Sequence, residues 1–122
     1  MTSTTSTIWT TSTILSNKKL EARLQDKAIE YLQASGIYYL NLFGDGWSGK
    51  GKPDLIACIN GRFVAFELKV GSNSMQADQR IHKRRIEASG GLHYSPYTLE
   101  EFIRIVEDLQ NDNDKRGQDN AL

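Results

Sequence analysis

This 122-residue chain has only one cysteine and two prolines, and its 15 acidic and 15 basic residues leave no excess of either charge. The single cysteine, Cys58, excludes an internal disulfide and any zinc site built from several cysteines. This usage is typical of a reducing compartment, so we expect a cytoplasmic protein. Because Cys58 lies in an apolar run, the sequence predicts a buried side chain there.

Long apolar runs are missing too. No stretch approaches the roughly 20 apolar residues that a membrane helix needs, so no membrane partner is expected. The first 17 residues are rich in Ser and Thr and contain no basic residue, so no signal peptide is expected. We expect a loosely attached arm over 1–17, a single domain over 18–110 and a polar tail over 111–122. Alternatively, Ile8-Trp9 and Ile14-Leu15 in the arm could dock on the domain or on a partner.

A β-hairpin is the clearest structural signal that is present. Asn60 and Gly61 separate two apolar runs, and Asn-Gly is favoured at the centre of a type I′ turn because both positions need positive φ. If they occupy that centre, the numbers of facing residues sum to 121, so Leu55 faces Phe66. One predicted face carries Leu55, Ala57, Val64 and Phe66, and the other carries Ile56, Cys58, Phe63 and Ala65. Because both faces are apolar, we expect a central hairpin with helices above and below.

Three charged residues meet at the open end of this hairpin. Asp54 falls opposite Glu67, and Lys69 shares their face because side chains alternate along a strand. Directly opposed carboxylates repel each other, so a positive group should lie between them. Mg²⁺ or Mn²⁺ fits this place, because these ions prefer carboxylate and water oxygens. Alternatively, Lys69 alone could bridge the two carboxylates in a charge cluster without a metal.

Helices and further strands are expected around the hairpin. Apolar residues at helical spacing predict a first helix over 18–34, followed by a strand over 37–43. A helix over 76–89, a short strand over 92–95 and a final helix opening at Thr98 follow the hairpin. The order α-β-β-β-α-β-α predicts an α/β fold with a mixed central β-sheet flanked by helices.

The motifs around the hairpin resemble those of the PD-(D/E)XK nuclease superfamily. Gly51-Lys52-Pro53-Asp54 matches its glycine-containing PD motif, and Glu67-Leu68-Lys69 matches its second motif. Glu21 matches the acidic residue of the first helix in the VRR-NUC branch, and Gln79 matches the glutamine of the helix after the Lys strand. The chain is therefore similar to the small virus-type VRR-NUC nucleases over about residues 19–106.

This resemblance implies a restriction-endonuclease-like core and a metal-dependent DNA endonuclease. The implied ligands of Mg²⁺ or Mn²⁺ are Glu21, Asp54, Glu67 and the backbone carbonyl of Leu68. Lys69 would orient the attacking water or neutralise charge on phosphorus, and Gln79 would position water or phosphate. Without the resemblance, Glu21 is explained by the helix dipole and Gln79 by a solvent-facing position. The alternative function is a noncatalytic DNA- or protein-binding module that retains the fold.

The distribution of charge, unlike the net charge, favours DNA as a partner. Between residues 50 and 85 there are eight basic and three acidic residues, whereas between 100 and 119 there are seven acidic and three basic ones. A basic middle predicts one DNA-facing surface. The candidate DNA contacts are Lys50, Lys52, Arg80, Lys83 and Arg84, although such a run on a helix is often only a solvated face.

The small size of the chain suggests self-assembly. One hairpin site leaves little surface for selecting a substrate, whereas two copies related by a two-fold axis place two sites at a fixed separation. Small standalone members of the resembled family act in this way. We therefore expect a homodimer that cuts branched DNA, such as four-way junctions, in preference to plain duplex. The acidic final helix and the arm with Ile8-Trp9 are the candidate dimer elements.

Overall fold

The computed structural model of the chain describes residues 16–43, 49–71 and 74–112. Within these ranges, three helices and four strands follow the predicted order. The helices are α1 (Asn17–Ala34), α2 (Ala77–Ala88) and α3 (Leu99–Gln110), and the strands are β1 (Tyr39–Asn41), β2 (Leu55–Ile59), β3 (Arg62–Phe66) and β4 (Leu92–Tyr94). None of the described helices is long and apolar enough to cross a membrane. The arm before Ser16 and the tail beyond Asp112 lie outside the described residues.

The four strands form one mixed sheet in the order β1-β2-β3-β4, in which only the β3–β4 pair is parallel. Helix α2 makes the crossover that a parallel pair requires. In the hairpin of β2 and β3, Leu55 pairs with Phe66, as predicted. Asn60 and Gly61 have φ values of 53° and 79°, as a type I′ turn demands. The predicted fold and hairpin register are therefore confirmed.

One face of the sheet, called the core face below, holds the apolar core. Its hairpin residues Leu55, Ala57, Val64 and Phe66 are all buried. Helices α1 and α3 cover this face, and the ring centroid of Phe102 lies 4.7 Å from that of Phe66. The hairpin turn is also hydrogen-bonded to the end of α3, because the Asn60 side chain donates to the backbone carbonyls of Leu109 and Asp112.

The opposite face, called the site face below, is covered only in part by the described residues. Ala65 is buried, but Phe63 is 48% exposed and Cys58 is exposed. The predictions of a buried Cys58 and of a hairpin covered on both faces are therefore wrong. The reason is the placement of α2, which packs against β4 at the edge of the sheet and leaves Cys58 and Phe63 uncovered. A Cβ on Gly91 would lie 2.8 Å from Ile86 and 3.0 Å from Phe63. The glycine therefore allows the side chains of Ile86, in α2, and Phe63, in β3, to pack this close to the backbone at position 91.

Local hydrogen bonds set the ends of the elements. The Ser16 side chain caps α1 by accepting the Lys19 N–H at 3.2 Å. The side chain of Thr98, where the sequence predicts the start of the final helix, caps α3 by accepting the Glu101 N–H at 3.0 Å. Strand β1 is shorter than the predicted strand over 37–43, because the Phe43 N–H donates to the side chain of Asn41 instead of continuing the ladder.

Candidate active site

Two carboxylic acids, Asp54 and Glu67, lie just beyond the paired ends of β2 and β3. The Asp54 N–H donates to the Phe66 carbonyl, and the Glu67 N–H donates to the Tyr94 carbonyl, both at 2.9 Å. The Asp54 carboxylate accepts the Leu68 N–H at 2.8 Å. Backbone hydrogen bonds on both sides therefore hold this pair at the open end of the hairpin, where the sequence predicts it.

Burial of the pair changes its protonation. Glu67 is 3% exposed. Its burial raises the pKa of Glu67 to about 8, the charge of Asp54 adds to the rise, and Lys69 opposes it. Burial also raises the pKa of Asp54, although the hydrogen bond from Leu68 counteracts that rise. In the absence of a cation, burial and the neighbouring Asp54 therefore favour the protonated form of Glu67.

Lys69 lies beside the two acids but does not bridge them. The residue is 6% exposed, and its Nζ donates to the Gln79 Oε1 at 2.7 Å and to the Ser74 carbonyl at 3.4 Å. None of the ion pairs within residues 16–43, 49–71 and 74–112 joins Lys69 to Asp54 or Glu67. The alternative in which Lys69 bridges the carboxylates therefore lacks the required contacts.

Gln79 fixes the position of that ammonium group. Its Oε1 also accepts the Gln76 N–H at 2.8 Å, which ties the side chain to the start of α2. One amide oxygen thus serves as a helix cap and as the partner of Lys69. The solvent-facing alternative for Gln79 is therefore wrong, and its direct partner is Lys69.

The loop before Asp54 packs against the start of α2 because of a glycine. Gly51 has a φ of 84°, and a Cβ on it would lie 2.6 Å from the backbone of Asp78. A side chain at this position would be strained and would push the loop away. His82 strengthens the contact through its Nε2, 3.2 Å from the Lys50 carbonyl.

Glu21 lies near the acid pair without joining a three-carboxylate cluster. Its charge raises the pKa of both Asp54 and Glu67, after larger contributions from burial. Among the described residues, however, no group of three or more His, Cys, Asp or Glu side chains is placed to hold a metal ion. The structure thus brings Asp54, Glu67, Lys69 and Gln79 together and leaves Glu21 beside them.

The acid pair still fits a hard divalent cation. Mg²⁺ usually takes only one or two protein carboxylates and keeps several waters. The Oε1 of Glu67 is buried and has no hydrogen-bond partner in the described part of the chain, as expected of an oxygen meant for a further ligand. Asp54 and Glu67 would be the carboxylate ligands, and the Leu68 carbonyl remains a predicted one.

The candidate DNA contacts are on α2 and on the loop packed against it. Arg80 donates to the Met75 carbonyl at 2.7 Å, Lys83 pairs with Glu87 at 3.0 Å, and Lys50 lies 3.9 Å from Asp78. Exposed pairs of this kind contribute little and exchange partners readily. The two ion pairs of Lys50 and Lys83 therefore place no large energetic cost on a contact with phosphate groups. Lys52 lies in the same loop, and Arg84 is an exposed residue of α2.

The sequence reasoning missed Gln25, a buried polar side chain of α1 that bonds to Asn41 at the end of β1. The available signal was its position between Leu24 and Ala28 in the apolar stripe, one helical turn after Glu21. A polar residue in such a stripe indicates a specific hydrogen-bond partner.

One solved structure is similar in fold to this chain. A solved structure described as a VRR_NUC domain matches with a TM-score of 0.60 and 22% sequence identity, covering 71% of this chain and 94% of that chain. No family model and no curated protein matches the sequence. At this identity the likeness establishes the fold, which is that of a VRR_NUC domain, as the sequence motifs led us to expect.

Proposed function

We propose that this chain is a Mg²⁺- or Mn²⁺-dependent DNA endonuclease of the VRR-NUC family. The observation that carries the proposal is the pair of the half-buried Asp54 and the buried Glu67 on one hairpin, with the buried Lys69 held beside it but not ion-paired to it. Such an arrangement lowers stability unless a ligand compensates it. A noncatalytic binding module needs none of these three residues, so their presence favours an enzyme.

Each residue has a distinct role in the proposed hydrolysis. Asp54 and Glu67 would hold the cation, with Glu21 and the Leu68 carbonyl as further candidate ligands. When bound, the ion supplies charge that lowers the pKa of a coordinated water and stabilises the scissile phosphate. Lys69 would face the negative charge that builds on the phosphate as water attacks and the phosphorus–oxygen bond breaks. Gln79 would act through Lys69 and is a positioning residue.

DNA would lie along the surface formed by α2 and the loop of Lys50 and Lys52. Changing Arg80, Lys83 and Arg84 to Glu should weaken DNA binding similarly for all sequences, because phosphate contacts carry no sequence information. The salt dependence of binding should also decrease, since fewer counterions are released. An unchanged salt slope would assign these three residues to a solvated face.

The preferred substrate is proposed to be branched DNA cut by a homodimer. The test is cleavage of linear, nicked, flapped, splayed and four-way DNA with Mg²⁺, with Mn²⁺ and with EDTA. We expect metal-dependent cutting that is fastest on the four-way junction, and light scattering at micromolar concentration should report twice the chain mass. Equal cutting of duplex and junction by a monomer would rule out this preference. DNA binding without cleavage under any condition would favour the noncatalytic module.

A further inference from the structure

Gln25 is a buried polar side chain that the proposed chemistry leaves unexplained. It is 3% exposed, whereas the other buried residues of α1 are apolar: Leu24, Ala28 and Leu32. It follows Glu21 by four residues, so the two side chains share one face of the helix. A buried amide is destabilising unless its polar atoms are bonded, so an apolar residue would serve packing better.

The amide of Gln25 is bonded on one side only. Its Nε2 donates to Oδ1 of Asn41 at 2.7 Å. The same oxygen accepts the Phe43 N–H at 3.1 Å, which identifies it as the acceptor and thereby fixes the orientation of the Gln25 amide. Oε1 of Gln25 is then buried without a hydrogen-bond partner among the described residues. Stability alone does not explain a residue that leaves such an atom in the core.

The bond between Gln25 and Asn41 connects α1 to the backbone of Asp54. Asn41 is the last residue of β1, and the N–H of the following Leu42 donates to the Asp54 carbonyl at 2.8 Å. Gln25 therefore joins the helix that carries Glu21 to the segment that carries a candidate ligand.

We infer that Gln25 is a positioning residue of the candidate site, which holds the Glu21 and Asp54 segments together through Asn41. The inference rests on the proposed function, since it takes Asp54 as a cation ligand. The bond contacts no ligand side chain and no reacting atom; it would act by fixing the backbone that carries Asp54, as outer hydrogen bonds orient metal ligands in other sites. Its loss should therefore lower cation affinity and turnover without lowering stability.

The test compares Gln25→Leu with Gln33→Leu. Gln33 is a matched control, because it lies on the same helix and its Nε2 donates to the Tyr39 hydroxyl of the same strand at 2.9 Å. In Gln25→Leu, the Mn²⁺ affinity measured by calorimetry should fall about 10- to 100-fold, the range for residues that orient metal ligands. Its kcat should fall, whereas its KM for DNA and its thermal midpoint without metal should hold. Gln33→Leu should bind Mn²⁺ as the wild type does.

A second variant, Asn41→Ala, removes the acceptor of the same hydrogen bond. It replaces Gln25→Leu in the test if that variant does not fold. Combining the two changes should lower Mn²⁺ affinity no further than Asn41→Ala alone, because that change already removes the bond from Gln25 together with the one from the Phe43 N–H. Wild-type Mn²⁺ affinity in both single variants overturns the inference, whether or not the protein cleaves DNA. If the wild type binds Mn²⁺ but cleaves no DNA, the proposed function fails, and a selective loss of affinity in Gln25→Leu still supports the inference. A wild type that binds no Mn²⁺ overturns both.

Discussion

The two faces of the sheet differ in what they bury. The core face is apolar and closed, with Val64 and Phe66 completely covered beneath α1 and α3. The site face buries three ionisable side chains, Glu67, Lys69 and His93, and yet leaves Phe63 half exposed. One hairpin supplies both faces, because successive side chains alternate in direction.

Along β3 and the residues that follow it, the side chains of one face contribute mainly to stability and those of the other face to the proposed chemistry. Substitutions on the core face should change mainly the free energy of unfolding. Substitutions of the charged residues on the site face should change mainly cation binding and turnover, since burying those charges does not help the fold.

The largest expected effect follows from removing one carboxylate charge on the site face. Asp54→Asn and Glu67→Gln should each reduce cleavage below detection, because each removes a ligand charge. The thermal midpoint in EDTA should hold or rise, since each change replaces an ionisable group of the site with a neutral amide that costs less to bury. Asp26→Asn, at an exposed position of α1, is the control and should cleave normally. Wild-type turnover in either site variant would show that the assigned metal site is wrong.

The next largest effect is expected at the buried lysine. Lys69→Ala should lower turnover roughly 10²-fold or more, as when one preorganised electrostatic group is lost. Mn²⁺ affinity should not fall, because an ammonium group is not a metal ligand. Lys27→Ala, on the exposed side of α1, should leave both quantities unchanged. Loss of Mn²⁺ binding in calorimetry would instead make Lys69 a structural partner of the carboxylates.

The contrast in stability can be measured with two phenylalanines of one strand. Phe66→Ala on the core face should lower the free energy of unfolding by about 3–5 kcal/mol, because it leaves a cavity in the core. Phe63→Ala on the site face should lower it by about 1 kcal/mol or less, the usual cost away from the core. Urea unfolding of both variants provides the comparison. Equal losses would mean that the site face is covered as fully as the core face.

The smallest expected effect is a dependence of stability on pH that comes from His93. This residue is buried on β4, and neither ring nitrogen has a partner among the described residues. Burial lowers the pKa of His93 to about 4, Lys83 and His82 add to the lowering, and Glu87 opposes it. The unfolded chain takes up this proton near pH 6.5, so the stability contributed by neutral His93 is present above that pH and is lost as pH falls toward 4.

The measurement for His93 is urea unfolding at about pH 7 and about pH 5 for the wild type and His93→Leu, two values on either side of the ordinary histidine pKa. The wild type should lose more stability than the variant between these two values. Equal losses would show that His93 does not contribute to the pH dependence.

Features set by local chemistry could be predicted from the sequence. The register of the hairpin follows from the φ preferences of Asn60 and Gly61, and the register alone places Asp54 opposite Glu67. The ends of the helices follow similarly from short-range capping by side chains such as Thr98.

Features set by contacts between distant segments could not be predicted. Cys58 and Ala57 have similar apolar neighbours in the sequence. Cys58 is exposed because α2 packs on another part of the site face. The place of Gln25 in the apolar stripe indicates that it has a partner, but that partner, Asn41, lies 16 residues away, so no local pattern identifies it. Whether Glu21 is a metal ligand also depends on tertiary placement, which sets it beside the acid pair and not within a three-residue cluster of the described residues.

The most direct test of the account is nicking of supercoiled plasmid DNA by the purified wild-type protein. We predict nicking with Mn²⁺ or Mg²⁺, no nicking with EDTA, and recovery when excess Mn²⁺ is added back. This result is expected if the acid pair of the site face acts through a bound cation. Nicking that persists in EDTA, or intact plasmid with both ions, would contradict the account.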